Sequence, residues 1–391
     1  MLCDTKGGNH VKKILTVFLI LGLMLLCATA SGENVLTEDR GLDLSCGSVH
    51  YPVVTLTGDE VLTQTVNDRI LENGNIRNYM TRLPQLLSGG EMNVTWTAET
   101  AGDILSCVFS AEGALETRRN THVWTTANVD LRTGEEIPFA SLFTDEQAAL
   151  ELIGAILETE VAPELSAHLQ NCELLPVPET FAISPAGLCL FWPVERLSTL
   201  SDRAGEIDLA WNEIAGVLDL TPGSIADRFG LPAMLELTEE SADRLTETVE
   251  RGEIPGLPVK LGGSLKEATD RYHLLTDPDF YENGRMFAPE AAAFRNCWLL
   301  TDGLTEDWDT SLILGIRMDR GCLCGLCIGQ SERSTWLEIL GEPEAMLEWD
   351  EDRAEANRSV PGICDYYTVG GRQLKLLSDT DGILRSLILM Q

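Results

Sequence analysis

Basic side chains are what this sequence has least of. Its 28 Lys and Arg face 62 Asp and Glu, a formal charge of −34 over 391 residues. Such a surface repels phosphate backbones and anionic headgroups, which argues against nucleic acid and peripheral membrane binding and steers a cationic partner inward. Catalytic signatures are missing too. His50, His122, His168 and His273 are scattered, and none stands in an H-E-x-x-H, G-x-S-x-G or Walker pattern. Paired acids such as Glu135-Glu136 and Asp350-Glu351-Asp352 lie in turns or polar runs and read as solvated, not as a glycosidase pair. Asp379-Thr380-Asp381-Gly382 begins like a calcium loop, yet no glutamate comes at the spacing such a loop requires, so it reads as a hairpin turn.

What is present begins with an export pattern. Lys12 and Lys13 precede a nearly unbroken apolar run from Ile14 to Cys27, and Ala28-Thr29-Ala30-Ser31 offers a small-x-small cleavage site. The run is shorter than the ~20 residues of a membrane span. Residues 1–30 are therefore expected to be a signal peptide, with an uncleaved N-terminal anchor as the alternative and the one expected membrane contact, and the protein to be secreted or held at the extracytoplasmic face of the envelope. The acidity belongs to the chain beyond residue 30, because the leader carries only Asp4, Lys6, Lys12 and Lys13.

With 44% apolar and 23% charged residues the chain can bury real cores, and its length predicts more than one domain. Residues 34–45 are polar and aperiodic, a tether. Val49–Leu56 reads as a strand, with Pro52 suggesting a sheet edge. Thr57-Gly58-Asp59-Glu60 has the form of a capping box before Leu62, Val66, Ile70, Met80 and Leu83 at helical spacing. Alternation marks strands at Met92–Trp96 and Ile104–Phe109. In the strand from Val123 to Leu131, His122, Trp124, Thr126 and Asn128 line the second face. Thr144 with Gln147 suggests another capping box, opening a helix that Pro163 ends. Phe181–Ile183 and Leu188–Trp192 flank a Ser184–Gly187 turn, then Ile207, Leu209 and Trp211 add a strand and Ile214–Leu218 a short helix.

These runs, "LSCVFSAEG", "THVWTTANVDLRTGEEIPFASLF" and "TFAISPAGLCLFWPVERLSTLSDRAGEIDLAWNEIAGVL", resemble the extracytoplasmic domain shared by the anti-sigma factor RsiV and PdaC-type peptidoglycan deacetylases. The likeness spans about residues 46–220, with possible subdomains at 46–143 and 144–220. It implies an α+β domain that binds a protein, since the RsiV ectodomain binds the basic protein lysozyme. On the strand pattern itself His122, Trp124, Thr126 and Asn128 form a half-exposed polar ladder, open to two readings: a solvated sheet face, or the candidate ligand-binding residues. The family's glycine-glycine-alanine-histidine stretch is here Arg119-Asn120-Thr121-His122, which keeps only the histidine.

Residues 221–252 form a junction, including a charged helix from Leu237 to Glu250. Residues 253–391 hold a weak internal repeat. Leu261-Gly262-Gly263-Ser264 and Ile328-Gly329-Gln330-Ser331 each open a short helix, with Ser264 and Ser331 as candidate N-caps, and strand-like runs come after each. This part resembles uncharacterised secreted domains built of helix-plus-β-meander repeats, similar to those of outer-membrane assembly lipoproteins and a β-lactamase inhibitor. Cys322, Cys324 and Cys327 make a C-x-C-x-x-C group open to three readings: buried thiols, a disulfide, or a soft-metal site. In an extended strand Cys322 and Cys324 share a face and Cys327 lies opposite, so a common site needs a bend. Of 11 cysteines, Cys3 and Cys27 leave with the leader.

The expected fold class is thus α+β: an antiparallel sheet with packed helices, then tandem α-β-β repeats. The expected function is a non-enzymatic protein-binding module without cofactor, whose partner is an extracellular or envelope protein of basic character. The alternatives are an accessory domain of peptidoglycan modification and an inhibitor-like repeat domain.

Overall fold

The computed structural model describes residues 35–113, 121–156, 180–191, 206–257, 259–272, 279–281, 284–287, 297–302 and 310–391. It is an α+β protein organised around two large sheets. The first runs in the order β1 (Val35–Leu44), β2 (Gly47–Leu56), β3 (Met92–Ala101), β4 (Ile104–Gly113) and β5 (Thr121–Asp130). Residues 35–44 are therefore an edge strand and not a tether; the β2 backbone satisfies their polar groups along ten residues. Between β2 and β3 the chain crosses through helices α1 (Glu60–Asn73) and α2 (Ile76–Arg82), so these two strands pair in parallel over Gly47–Val49. Pro52 lies beyond that short parallel stretch, where β2 pairs only with β1 in the described register, and so its missing N–H is tolerated in a strand that is not at the edge.

Asp59, not Thr57, caps α1: its carboxylate accepts the Leu62 N–H at 2.8 Å. The helix stops at Gly74-Asn75 because Asn75 takes a left-handed φ of 57° and because Gly74 lies against Phe109, whose ring would stand 2.6 Å from a Cβ there. Val66, Ile70, Ile76 and Leu83 bury one face of this helical pair against Val94, Cys107, Phe109 and Ala127 of the sheet.

Against the other face of the sheet lies a second layer of three strands, β6 (Phe181–Ile183), β7 (Gly187–Phe191) and β8 (Glu206–Ala210), with α3 (Glu146–Ile156) and α4 (Trp211–Ile214). Asp145 caps α3, its Oδ1 accepting from the N–H groups of Gln147 and Ala148. Thr144 instead donates its own N–H to Val217 O. The end of this helix at Pro163 lies outside the described residues. Trp211 opens a helix where alternation suggests a strand; its indole N–H donates to Ser184 O at 2.8 Å and holds it in the core. Two short helices, α5 (Ile225–Phe229) and α6 (Leu231–Leu235), close this layer, and α7 (Glu239–Arg251) comes after them. Leu245 and Val249 of α7 enter the next core, so that helix is only half a surface element.

The remaining chain forms an eight-stranded antiparallel sheet from two units of one plan. In each, an eight-residue helix, α8 (Leu265–Tyr272) or α9 (Arg333–Leu340), precedes four strands. The first set is β9 (Asp279–Tyr281), β10 (Gly284–Phe287), β11 (Cys297–Asp302) and β12 (Gly315–Met318); the second is β15 (Ala345–Trp349), β16 (Gly362–Val369), β17 (Arg372–Asp379) and β18 (Leu384–Met390). The helix entries repeat similar bonds, with one residue more between the two donors in the second unit. Gly262 N–H donates to Ile313 O at 2.8 Å and Gly329 N–H to Leu384 O at 2.7 Å; Leu265 N–H donates to Ser311 O at 3.0 Å and Arg333 N–H to Gly382 O at 2.7 Å. The units join edge to edge through β12 and β18, with Arg317 opposite Ile388. Antiparallel pairing of equivalent strands relates them by an approximate two-fold, and the two sheet ends are β9 and β15. Ser264 Oγ accepts the Glu267 N–H as a cap does. Ser331 does not: its hydroxyl accepts the Cys327 N–H at 2.8 Å.

Cys322–Ile328, which reads as one strand, is a tight hairpin of β13 (Cys322–Leu323) and β14 (Leu326–Cys327). Cys324 and Gly325 turn it with φ of 48° and 85°. A Cβ on Gly325 would lie 2.3 Å from the Glu236 backbone, so the turn needs glycine twice over. The hairpin is the rivet between the two parts of the chain. Gly325 N–H donates to Met234 O, Gln330 Nε2 to Asn212 O, and the Arg320 guanidinium grips the Glu213 carboxylate with both arms.

Candidate functional site

The four candidate residues on β5 do not form an open polar face. Asn128 is buried at the seam between the five-stranded and three-stranded sheets, where it accepts from Ser106 Oγ at 2.6 Å and donates to Phe181 O at 2.8 Å. Ser106 completes the link by accepting the Ile183 N–H at 2.9 Å. Trp124 is buried against Phe191 and Ala182 with ring centroids 6.0 Å apart from Phe191. The strand alternates as its sequence implies, but a second layer covers the face so defined. His122 and Thr126 remain half-exposed at the margin. His122 Nε2 sits 2.7 Å from Ser110 Oγ and 3.7 Å from Glu112, and its ring tilts over Trp124 at 3.9 Å.

Beside this seam lies a carboxylate that no sequence pattern marks. Glu99 stands opposite Ser106 in the register, in line with Asn128, and burial pushes its pKa up to about 7. On the outer strands of the same sheet, His50 lies between two acids, Nδ1 at 2.8 Å from Asp39 and Nε2 at 3.1 Å from Asp43, while the Trp96 indole donates to Asp39 at 2.6 Å. Burial pulls the His50 pKa down, but the hydrogen bonds and charges of both carboxylates outweigh it and hold it above the usual histidine range.

The cysteine group divides. Cys322 and Cys327 face each other across the hairpin and are joined as a disulfide, which the bend at Cys324-Gly325 makes possible. They are neither buried thiols nor metal ligands. Cys324 is half-buried over Thr248, and burial raises its pKa. Burial likewise raises the thiols of Cys107 and Cys297, which makes them poor nucleophiles. Among the described residues no three His, Cys, Asp or Glu side chains are grouped to hold a metal ion, and no helix is long and apolar enough to cross a membrane. A small crevice of about 30 Å³ at the rivet, lined in part by Ala186, Asp208, Cys297 and Arg320, has room for about one water molecule.

The dominant charged features are guanidinium groups drawn inward. Arg228 binds Asp103 and Asp130 together, with Nη1 donating to Asp130 at 2.8 Å and Nη2 to Asp103 at 2.7 Å. Burial opposes ionisation of Asp130, yet the Arg228 and Arg132 contacts hold its pKa below the usual carboxylate range. Arg317, only 5% exposed, donates to Asp319 and to the carbonyls of Asn357 and Arg358. Arg333 grips Asp365 through two 2.8 Å bonds, and the Trp336 indole donates to the same carboxylate. Asp365 is 0% exposed.

No protein-family model matches the chain, and no curated protein does. Solved structures similar to it include a DUF3298-family protein of Bacteroides fragilis, 12% identical, covering 50% of this chain and 96% of that one at a TM-score of 0.35. A DUF3298-family protein of Pseudomonas aeruginosa is 11% identical, covering 49% and 96% at a TM-score of 0.32. A DUF4309-family protein of Bacillus subtilis is 15% identical, covering 39% and 97% at a TM-score of 0.27. Both family names denote domains of unknown function, and neither carries a ligand or a reaction.

Proposed function

We propose that this protein is an exported, non-enzymatic binding module that offers an acidic surface to a basic protein outside the cell, with lysozyme as the model ligand. One observation carries the reading: 62 acids stand against 28 bases, a formal charge of −34 that internal ion pairing does not change. Arg228, Arg317, Arg320 and Arg333 are 10%, 5%, 15% and 22% exposed, and each is engaged by buried or half-buried carboxylates. Each of these pairs withdraws at least one carboxylate with its guanidinium, so the outer surface keeps the net negative charge of the chain. A field of one sign raises the encounter rate of an oppositely charged protein and falls off with salt. The leader pattern of residues 1–30 supports export, and the Cys322–Cys327 bond suits an oxidising compartment.

The test is capture by the immobilised chain of lysozyme, against a neutral protein of similar size. Selective retention of lysozyme is expected. Equal retention of both, or of neither, would sink the reading.

A further inference from the structure

We infer that the free edge of β15 receives an extended, cationic segment of a partner protein by strand addition. This inference rests on the proposed function and gives the acidic surface a particular docking place.

β15 ends the eight-stranded sheet and is hydrogen-bonded only to β16. An edge strand presents alternate N–H and C=O groups away from its neighbour, and natural proteins guard such edges with lysine, proline, a bulge or a covering element. Residues 345–349 contain no lysine or proline, and their pairing to β16 is regular. Nor are they covered: 344–348 are all exposed, with Met346 at 60% and Leu347 at 36%. The opposite end of the sheet, β9, has only three residues.

The two faces of this edge differ: Ala345, Leu347 and Trp349 make one apolar, while Met346 stands between Glu344 and Glu348 on the other. Leu347 stands in register with Cys364 and Leu377, beside the buried Trp349 cluster. Met346 stands opposite Asp365, with its sulfur 3.2 Å from Arg333 Nη2. An incoming strand with apolar side chains on one face and basic ones on the other would extend the Leu347 row and meet Glu344 and Glu348.

Charge selects the occupant. Acids outnumber bases on β15: Glu344 and Glu348 on the edge and exposed Asp350, Glu351 and Asp352 immediately after it, against Arg333 at Met346 and Arg353 over Trp349. A second copy of β15 is disfavoured by its own registers. Antiparallel pairing centred on Met346 sets Glu344 against Glu348, and pairing centred on Leu347 sets Glu344 against Asp350. A basic strand turns the same positions into opposite-charge pairs. The edge thus rejects itself and selects a cation, which is how an interface gains specificity from a repulsive element.

The test is amide hydrogen exchange in the full chain with a synthetic peptide of alternating lysine and valine, and with its glutamate/valine counterpart. The lysine peptide is expected to slow exchange of edge amides within 345–349 by about tenfold or more, and the glutamate peptide to leave them unchanged. Met346→Lys combined with Glu348→Lys, both at exposed positions, is expected to weaken the lysine peptide by about tenfold or more. Unchanged exchange in β16–β18 of the variant certifies its fold. No protection at β15, protection elsewhere, or undiminished binding by the variant overturns the inference. Capture of lysozyme equally by wild type and variant overturns the edge while leaving the basic-protein reading intact. Protection by the peptide with no capture of lysozyme does the reverse.

Discussion

The two large sheets bury polar groups by different chemistry. Across the seam of the five-stranded sheet the links are neutral, Ser106, Asn128 and the backbone of β6 with the Glu99 carboxyl alongside, and its one inward guanidinium among the described residues, Arg228, sits at the sheet's end on Asp103 and Asp130. In the eight-stranded sheet they are ionic, guanidinium on carboxylate, at Arg333–Asp365 and Arg317–Asp319. The first arrangement leaves residues such as Arg40, His50 and Arg77 at or near the surface in pairs with Glu38, Asp39 and Asp68. The second draws Arg317 and Arg333 inward together with their carboxylates, and the β15 edge carries more acids than bases.

The largest effect that would sharpen this contrast is removal of Asp365. Asp365→Ala leaves Arg333 without its bidentate partner and the Trp336 N–H without an acceptor, and is expected to destabilise the protein by about 3–5 kcal/mol in denaturant unfolding. A loss below about 1 kcal/mol would mean that the pair is not a structural element. On the neutral side, Asn128→Ala strands the Ser106 hydroxyl and Phe181 carbonyl, for an expected loss of about 1–3 kcal/mol. If that loss exceeded the Asp365 loss, the contrast would be inverted.

The rivet between the sheets comes next. Replacing Cys322 and Cys327 together by serine removes a short cross-link, and chain entropy predicts a loss of about 2 kcal/mol. Free thiol titration of the unfolded, unreduced protein checks the bond itself, because two additional reactive thiols in the native material would show that it is absent.

Glu99 and His50 give smaller, pH-dependent effects, and both fall on the five-stranded sheet. The folded pKa of Glu99 lies at about 7, above its ordinary 4.5, so folding takes up a proton between those values. The stability this provides is full below pH 4.5 and is lost as pH rises through 7. Glu99→Gln is therefore expected to match wild type near pH 4 and exceed it by roughly 1 kcal/mol or more near pH 9. Equal stability at both pH values would show that the carboxyl is solvated. His50 also has a raised folded pKa, so its contribution is present below the ordinary 6.5 and lost as pH rises through the higher folded value. His50→Ala should cost less than about 1 kcal/mol at low pH and less still above that window. A larger loss at high pH would reverse the sign.

Much of this architecture was legible in the sequence where one layer derives from one pattern. The alternation of β5, the Ser184–Gly187 hairpin and the two helix openings at Ser264 and near Ser331 all correspond to described elements. What escaped was decided by other parts of the chain. β15 reads Ala-Met-Leu-Glu-Trp, without a period of two, and is a strand because β16 pairs with it. Residues 35–44 look like a tether until β2 is laid beside them. The covering of part of the candidate face was decided at the same level. Period two places His122, Trp124, Thr126 and Asn128 on one face, but period alone carries no record of the sheet that covers Trp124 and Asn128. Glu99 carries no motif; only its register beside Ser106 distinguishes it from the other glutamates.

The most direct measurement of the central claim is the affinity of the full chain for lysozyme between about 50 mM and about 500 mM NaCl, over which the Debye length falls from roughly 14 Å to roughly 4 Å. A surface of large net negative charge predicts binding that is tightest at low salt and weakens steadily across the series. Binding that ignores salt, or is absent throughout, would contradict it.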